Sequence, residues 1–153
     1  WLRPEGRWIA KKTVGDEVLV PDGAILVAAQ GTLGESELFC RSEFITRTAL
    51  ERAYSQHFLR VIADETIISR GALFAFMRSE TAFRMLRSAS TGSKLQDFHY
   101  VVLPSLPVPF PPEPIRDRCH QLVVDAYSAR ERAVELEDEA RVLVEKVIEE
   151  GGR

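Results

Sequence analysis

Hydrophobic positions along this chain change their period twice, and each change marks a new kind of element. Through the first 65 residues the apolar letters come in short runs: "RWIA" (7–10), "EVLV" (17–20), "AILVAA" (24–29), "ELFC" (37–40) and "HFLRVIA" (57–63). Turn chemistry separates them, in "VGD", "PDG" and "GTLGE", so the runs predict short strands. "TRTALERAY" (46–54) predicts one or two helical turns between strands. From Gly71 the spacing shifts: Leu73, Phe76, Met77, Phe83 and Leu86 fall near i, i+3, i+4 and predict a helix over 71–87. "SASTGSK" (88–94) predicts a loop and "HYVVL" (99–103) a last strand. The expected body is α+β, with short mixed strands.

The second change is sharper. "LPSLPVPFPPEP" (103–114) holds six of the chain's eight prolines, which fix φ and favour an extended, polyproline-like arm. Residues 115–150 then contain no Gly or Pro. Within them Ile115, Cys119, Leu122, Ala126, Ala129, Ala133, Leu136, Ala140, Leu143 and Val147 alternate in steps of four and three, an unbroken heptad seam. Away from that seam Arg118, Asp125, Arg132, Glu139 and Lys146 are charged every time, while Tyr127, Val134 and Ile148 widen the apolar stripe. Pro114 suits a first helical turn, and Gly151 and Gly152 suit the end. The helix should be roughly 50–55 Å long. The expectation is a coiled coil with a second helix, from another copy or another segment, because the proline arm discourages folding back on the body. Five of the ten seam positions are Ala or Cys, which lets two helix axes approach closely. The layout reads as a recognition body (1–103, with its first part expected to precede Trp1), a Pro-rich hinge (104–114) and a spacer helix (115–150).

Composition narrows the picture. The 153 residues suit one domain plus an appendage, and 45% apolar with 28% charged residues is an ordinary globular mixture. No apolar run reaches the roughly 18 residues of a membrane span. Cys40 and Cys119 form no disulfide framework or metal motif, which points to a reducing cytoplasm. The net charge of −3 hides an asymmetry: residues 1–110 carry 13 Lys/Arg against 12 Asp/Glu, and residues 111–153 carry 7 against 11. A free-standing, strongly basic polyanion binder is excluded. Any DNA contact must be local or shared with a partner.

Candidate chemistry is correspondingly local. "QGTLG" (30–34) lacks the Gly-Lys-Ser/Thr ending of a phosphate loop and reads as a tight turn. Ser90, Thr91, Ser93 and Lys94 surround Gly92 behind Arg84 and Arg87, and small hydroxyls with a lysine suit phosphate oxygens as well as a plain solvated loop. Arg41, Arg47, Arg52, Arg78, Arg84 and Arg87 carry the guanidinium fork that pairs with guanine O6 and N7, or serve as surface charges. His57, His99 and His120 lack metal-ligand spacing and read as structural. No catalytic residue and no metal site is expected.

Several segments, in order, resemble a known family. "DGAILVAAQGTLGE" (22–35) is similar to the Gly-Asp-Ile-Leu…Gly-Thr-x-Gly segment of target-recognition domains in specificity subunits of type I restriction–modification systems. "SQHFLRV" (55–61) resembles the strand that follows there, and residues 71–98 a helix pair ending in a Gly-Ser loop. "LPSLPVPFPPEPIRDRC" resembles the family's Pro-rich hinge, with Glu113-Pro114 where the family usually reads Glu-Gln. The resemblance spans about residues 22–149 and implies a non-catalytic module reading half of an interrupted DNA target. It implies methyltransferase subunits as partners bringing S-adenosylmethionine, and a motor–nuclease subunit using ATP and Mg²⁺ where one is present. A second copy or second half would pair through the helix. The rival readings are the same module fused within a larger methyltransferase or restriction chain, and a coiled-coil scaffold whose body binds protein.

Overall fold

The computed structural model describes residues 8–10, 12 and 14–151. Among them lie strands β1 (Ile25–Ala28), β2 (Gln30–Gly31), β3 (Ser42–Phe44), β4 (Phe58–Val61), β5 (Ser90–Thr91) and β6 (Gln96–Phe98), and helices α1 (Arg70–Met77), α2 (Glu80–Ser88) and α3 (Glu113–Gly151). The α+β class follows directly. Two antiparallel three-stranded sheets form, in the orders β3-β1-β4 and β2-β6-β5.

β1 is apolar at every position because both of its faces are covered. Alternate side chains point to opposite faces. Ile25 and Val27 enter the larger core cluster with Phe44, Phe74 and Phe83, while Leu26 enters a smaller one with Val20, Ala24 and Ile45. Register is set by Ile25 opposite Phe44 on one side and opposite Val61 on the other.

The helix expected over 71–87 divides at Ser79, which caps α2 by accepting a hydrogen bond from the Ala82 N–H at 3.1 Å. A serine in extended conformation satisfies one of the free N–H groups that open a helix, and this outcompetes continuation of α1. Three predicted strands are turns instead. Asp16–Val18 closes a 3-10 turn and then lends the Val18 carbonyl to Tyr54. Phe39 and Cys40 are buried in a turn in which Cys40 has φ +69°, incompatible with a strand. Around 99–103 the N–H groups of Val102 and Leu103 both turn back to the His99 carbonyl, and Pro104 sits in a 3-10 turn; the strand lies just before, in β6. Residues 8–10 are not strand, and Arg7 lies outside the described residues. Over 46–54 a 3-10 turn forms at Arg47–Ala49. No helix among the described residues is long and apolar enough to cross a membrane.

The long helix does fold back on the body over its first half, contrary to the expectation drawn from the prolines. Leu103 and Leu106 pack against the core before the proline run, so the arm is anchored where it starts. α3 then crosses α1, and Val123 and Tyr127 join the larger core cluster. Gly71 makes the crossing possible: a Cβ there would lie 2.8 Å from the His120 Cα and 2.9 Å from its carbonyl oxygen. Its N–H donates to His120 Nδ1 at 3.3 Å. Tyr127 wedges between Phe44 and Phe74, with ring centroids 5.2 and 5.6 Å away in edge-on arrangements. Its hydroxyl accepts from the Phe44 N–H at 3.4 Å and donates to Glu43 at 2.7 Å.

Two outcomes follow. Gly→Ala inside a helix usually gains about 1 kcal/mol, but overpacking costs about 1–3 kcal/mol, so Gly71→Ala is expected to lower unfolding stability in a urea titration. Burial, then the Glu43 carboxylate, pushes the Tyr127 phenol up to about 12. In the unfolded chain it ionises near the ordinary ~10. The neutral phenol is thus favoured by the folded state; its contribution is complete below pH ~10 and is lost as pH rises through about 12. Alkaline melts should show this loss, and Tyr127→Phe should remove it.

Candidate nucleic-acid interface

Arg84 and Arg87, three residues apart on α2, share one face of the helix. Opposite them the turn after β2 presents Glu35. Arg84 forks onto its carboxylate, Nη1 and Nη2 at 2.6 and 2.8 Å, and holds Glu80 with Nε at 2.6 Å. Arg87 donates to the Gly34 carbonyl and brings Nη1 to 3.9 Å from Glu35. Arg41, from the turn leading into β3, donates to the Glu35 carbonyl at 2.6 Å. Arg41 and Arg87 both lie over the buried Phe83 ring, 3.8 and 4.1 Å from its centroid. Three guanidinium groups thus gather around one acidic residue. The hydrogen bond from Arg84 outweighs desolvation and holds the Glu35 carboxyl below the usual carboxylate range, helped by the charges of Arg84, Arg87 and Arg41. Its reciprocal bonds with Glu35 and Glu80 raise Arg84. Nearby, burial pushes the Cys40 thiol up to about 12, so it behaves as a small apolar side chain.

The β5–β6 hairpin adjoins this cluster through Ser90, whose Oγ donates to the Arg87 carbonyl at 2.7 Å and sits 3.2 Å from Gln96 Oε1. Ser90 is therefore turned inward, away from the role its hydroxyl was expected to play at the surface. Thr91, Ser93 and Lys94 are exposed around the hairpin tip. Gly92 makes that tip possible, with φ +125° and a position where a Cβ would fall 2.3 Å from the Leu95 carbonyl oxygen.

The remaining arginines lie elsewhere. Arg47 reaches α3, with Nη2 2.9 Å from Glu135 and Nε 3.4 Å from Glu131, and acts as a clamp between body and helix. Arg130 answers it from α3, donating to Glu43 at 2.8 Å. Arg52 and Arg78 line a groove of about 790 Å³, whose floor is the sheet face bearing Leu26, Ala28 and Phe58 and whose wall is α3 around Val134. Neither pairs with a carboxylate among the described residues; Arg78 donates weakly to the Ser42 carbonyl at 3.4 Å.

Two of these features escaped the sequence. Glu35 carries no pattern that marks it as the hub of the arginine cluster. Tyr127 read as widening the helix seam, whereas it belongs to the stripe facing the body.

α3 itself is two-faced. The docking stripe includes His120, Val123, Tyr127, Glu131 and Val134, all partly buried. Of the ten seam residues, Cys119 is partly buried, while Ala126, Ala129, Ala133 and Ala140 are exposed. The larger ones, Ile115, Leu122, Leu136, Leu143 and Val147, are between 48% and 69% exposed. At 100° per residue the seam points about 140° away from the docking stripe. The charged flank ties itself together, Arg132 to Glu135 and Glu139, and Arg141 to Asp138 and Glu145.

No protein-family model matches this chain, and no curated protein matches it either.

Proposed function

We propose that this chain is a DNA target-recognition module with a spacer helix, the specificity subunit or part of one in a cytoplasmic restriction–modification or related methylation system. It is non-catalytic in this reading. Partner methyltransferase subunits supply S-adenosylmethionine, and a motor–nuclease subunit, where present, supplies the ATP- and Mg²⁺-dependent chemistry. The observation that carries the reading is the division of α3 into a docked stripe and a free seam. A reader of two half-sites needs its head fixed rigidly to the spacer, and needs the spacer's other side open for a second helix. Docking through Tyr127 supports the first requirement, and the exposed ten-position seam supports the second.

Base readout belongs to side chains of the body, with phosphate contacts setting register. Arg52, Arg78 and Lys94 are exposed and form no ion pair among the described residues, so they are the first cations available to DNA. A second reading, a protein-binding scaffold, draws support from the apolar floor of the groove that Arg52 and Arg78 border.

Selection from randomised duplexes, using the full-length protein assembled with its methyltransferase, is expected to enrich two short motifs at a fixed gap. Affinity should fall steeply with salt, because each neutralised phosphate releases counterions. A flat pool from a folded, assembled sample would favour the scaffold. Removing one heptad from 139–147, about 10 Å of helix, should change the gap or abolish assembly; an unchanged gap would contradict the spacer role.

A further inference from the structure

We propose that the cluster of Arg41, Arg84 and Arg87 is a binding site for a phosphate of the DNA backbone, held shut in the free protein by the carboxylate of Glu35. This rests on the recognition reading above and adds a gate to it.

The geometry of the cluster is that of an oxyanion site. Arg84 meets two oxygens with the fork that suits carboxylate and phosphate alike. The arginines are also held by groups other than the Glu35 carboxylate. Glu80 keeps Arg84, the Gly34 carbonyl and Phe83 keep Arg87, and Phe83 with the Glu35 carbonyl keeps Arg41. The site therefore persists when the carboxylate leaves. Glu35 is the opposite case: its side chain is 68% exposed, on a turn beside Gly34, and its carboxylate is held by these arginines. Such exposed ion pairs contribute little net stability, so the carboxylate is displaceable. Three arginines face two carboxylates, Glu35 and Glu80, and moving Glu35 aside exposes a stronger positive site. Thr91, Ser93 and Lys94 of the hairpin that follows α2 are exposed as well.

The test compares wild type, Glu35→Gln and Glu37→Gln for binding to a random-sequence duplex across a salt series. The two variants carry the same charge change two residues apart. Glu35→Gln should bind about fivefold or more tighter at low salt, with a salt slope steeper by about one phosphate contact, while Glu37→Gln should change affinity less than about twofold. Adding Arg84→Ala to Glu35→Gln should abolish the gain. Glu35→Asp, which keeps the charge but shortens its reach, should show part of the gain and covers the case in which Glu35→Gln folds poorly. Wild-type binding with no gain in folded Glu35→Gln or Glu35→Asp overturns the gate alone. Absence of duplex binding by all variants overturns the recognition reading with it. Inorganic phosphate, exchanged for chloride at matched ionic strength, should weaken duplex binding by Glu35→Gln more than by wild type. If phosphate instead raises the melting temperature of Glu35→Gln while its duplex affinity equals wild type, the site serves a free anion and the backbone assignment is overturned.

Discussion

Tyr127 is the side chain on which the arrangement depends. It stands a third of the way along α3, yet its ring closes an aromatic triangle with Phe44 of β3 and Phe74 of α1. Edge-on aromatic pairs contribute about 0.5–1.5 kcal/mol each beyond the area they bury. The hydroxyl does a second job that a phenylalanine could not. β3 is an edge strand, and the Phe44 N–H on its outer side would lack a partner without the phenol. Sheet, helix pair and long helix are thereby joined at one residue, and Arg47 and Arg130 brace the joint from either side with ion pairs of opposite polarity.

This joint decides how α3 divides its surface. The helix runs 39 residues, about 58 Å, and only part of that length lies against the body. Its first half gives one stripe to the core and its last turns project with Leu143, Val144, Val147 and Ile148 exposed. The seam is rotated well away from the docked stripe, so docking does not consume it. Alanines at Ala126, Ala129 and Ala133 keep the exposed apolar area modest beside the body, and the larger side chains return where the helix runs free. A pairing helix would find close approach near the body and a fuller apolar surface beyond it.

How legible this was in the letters differs by element. The seam and the helix were plain, because 36 residues without a break leave a periodic signal little competition, and the helix begins at Glu113, two residues before the expected start. β1 and β4 were plain for the same reason on a shorter scale. Residues 37–40 misled because burial and strand share a composition: Phe39 and Cys40 are in the core, but in a turn. β3 was missed since three residues, Ser-Glu-Phe, are too few to show alternation. The folding-back of α3 was misjudged because the prolines fix local direction without fixing where the chain ends up, and Leu103 and Leu106 had already tied the arm to the core. Arginine roles were the least legible. Sequence shows that a guanidinium exists; only the fold shows that Arg47 faces α3 carboxylates, and that Arg41, Arg84 and Arg87 share Glu35.

Amide hydrogen exchange along α3 of the isolated chain, at a concentration low enough to prevent self-pairing, tests the two-faced helix most directly. Opening energies report local packing residue by residue. The account requires protection from about Arg116 to Val134 comparable to that of β1, with a fall over the turns beyond Asp138, where every described residue is exposed. Fast exchange throughout α3 would mean that Tyr127 does not dock the helix. Strong protection extending to Ile148 in the unpaired chain would mean that the projecting turns are covered, and that the seam is not free.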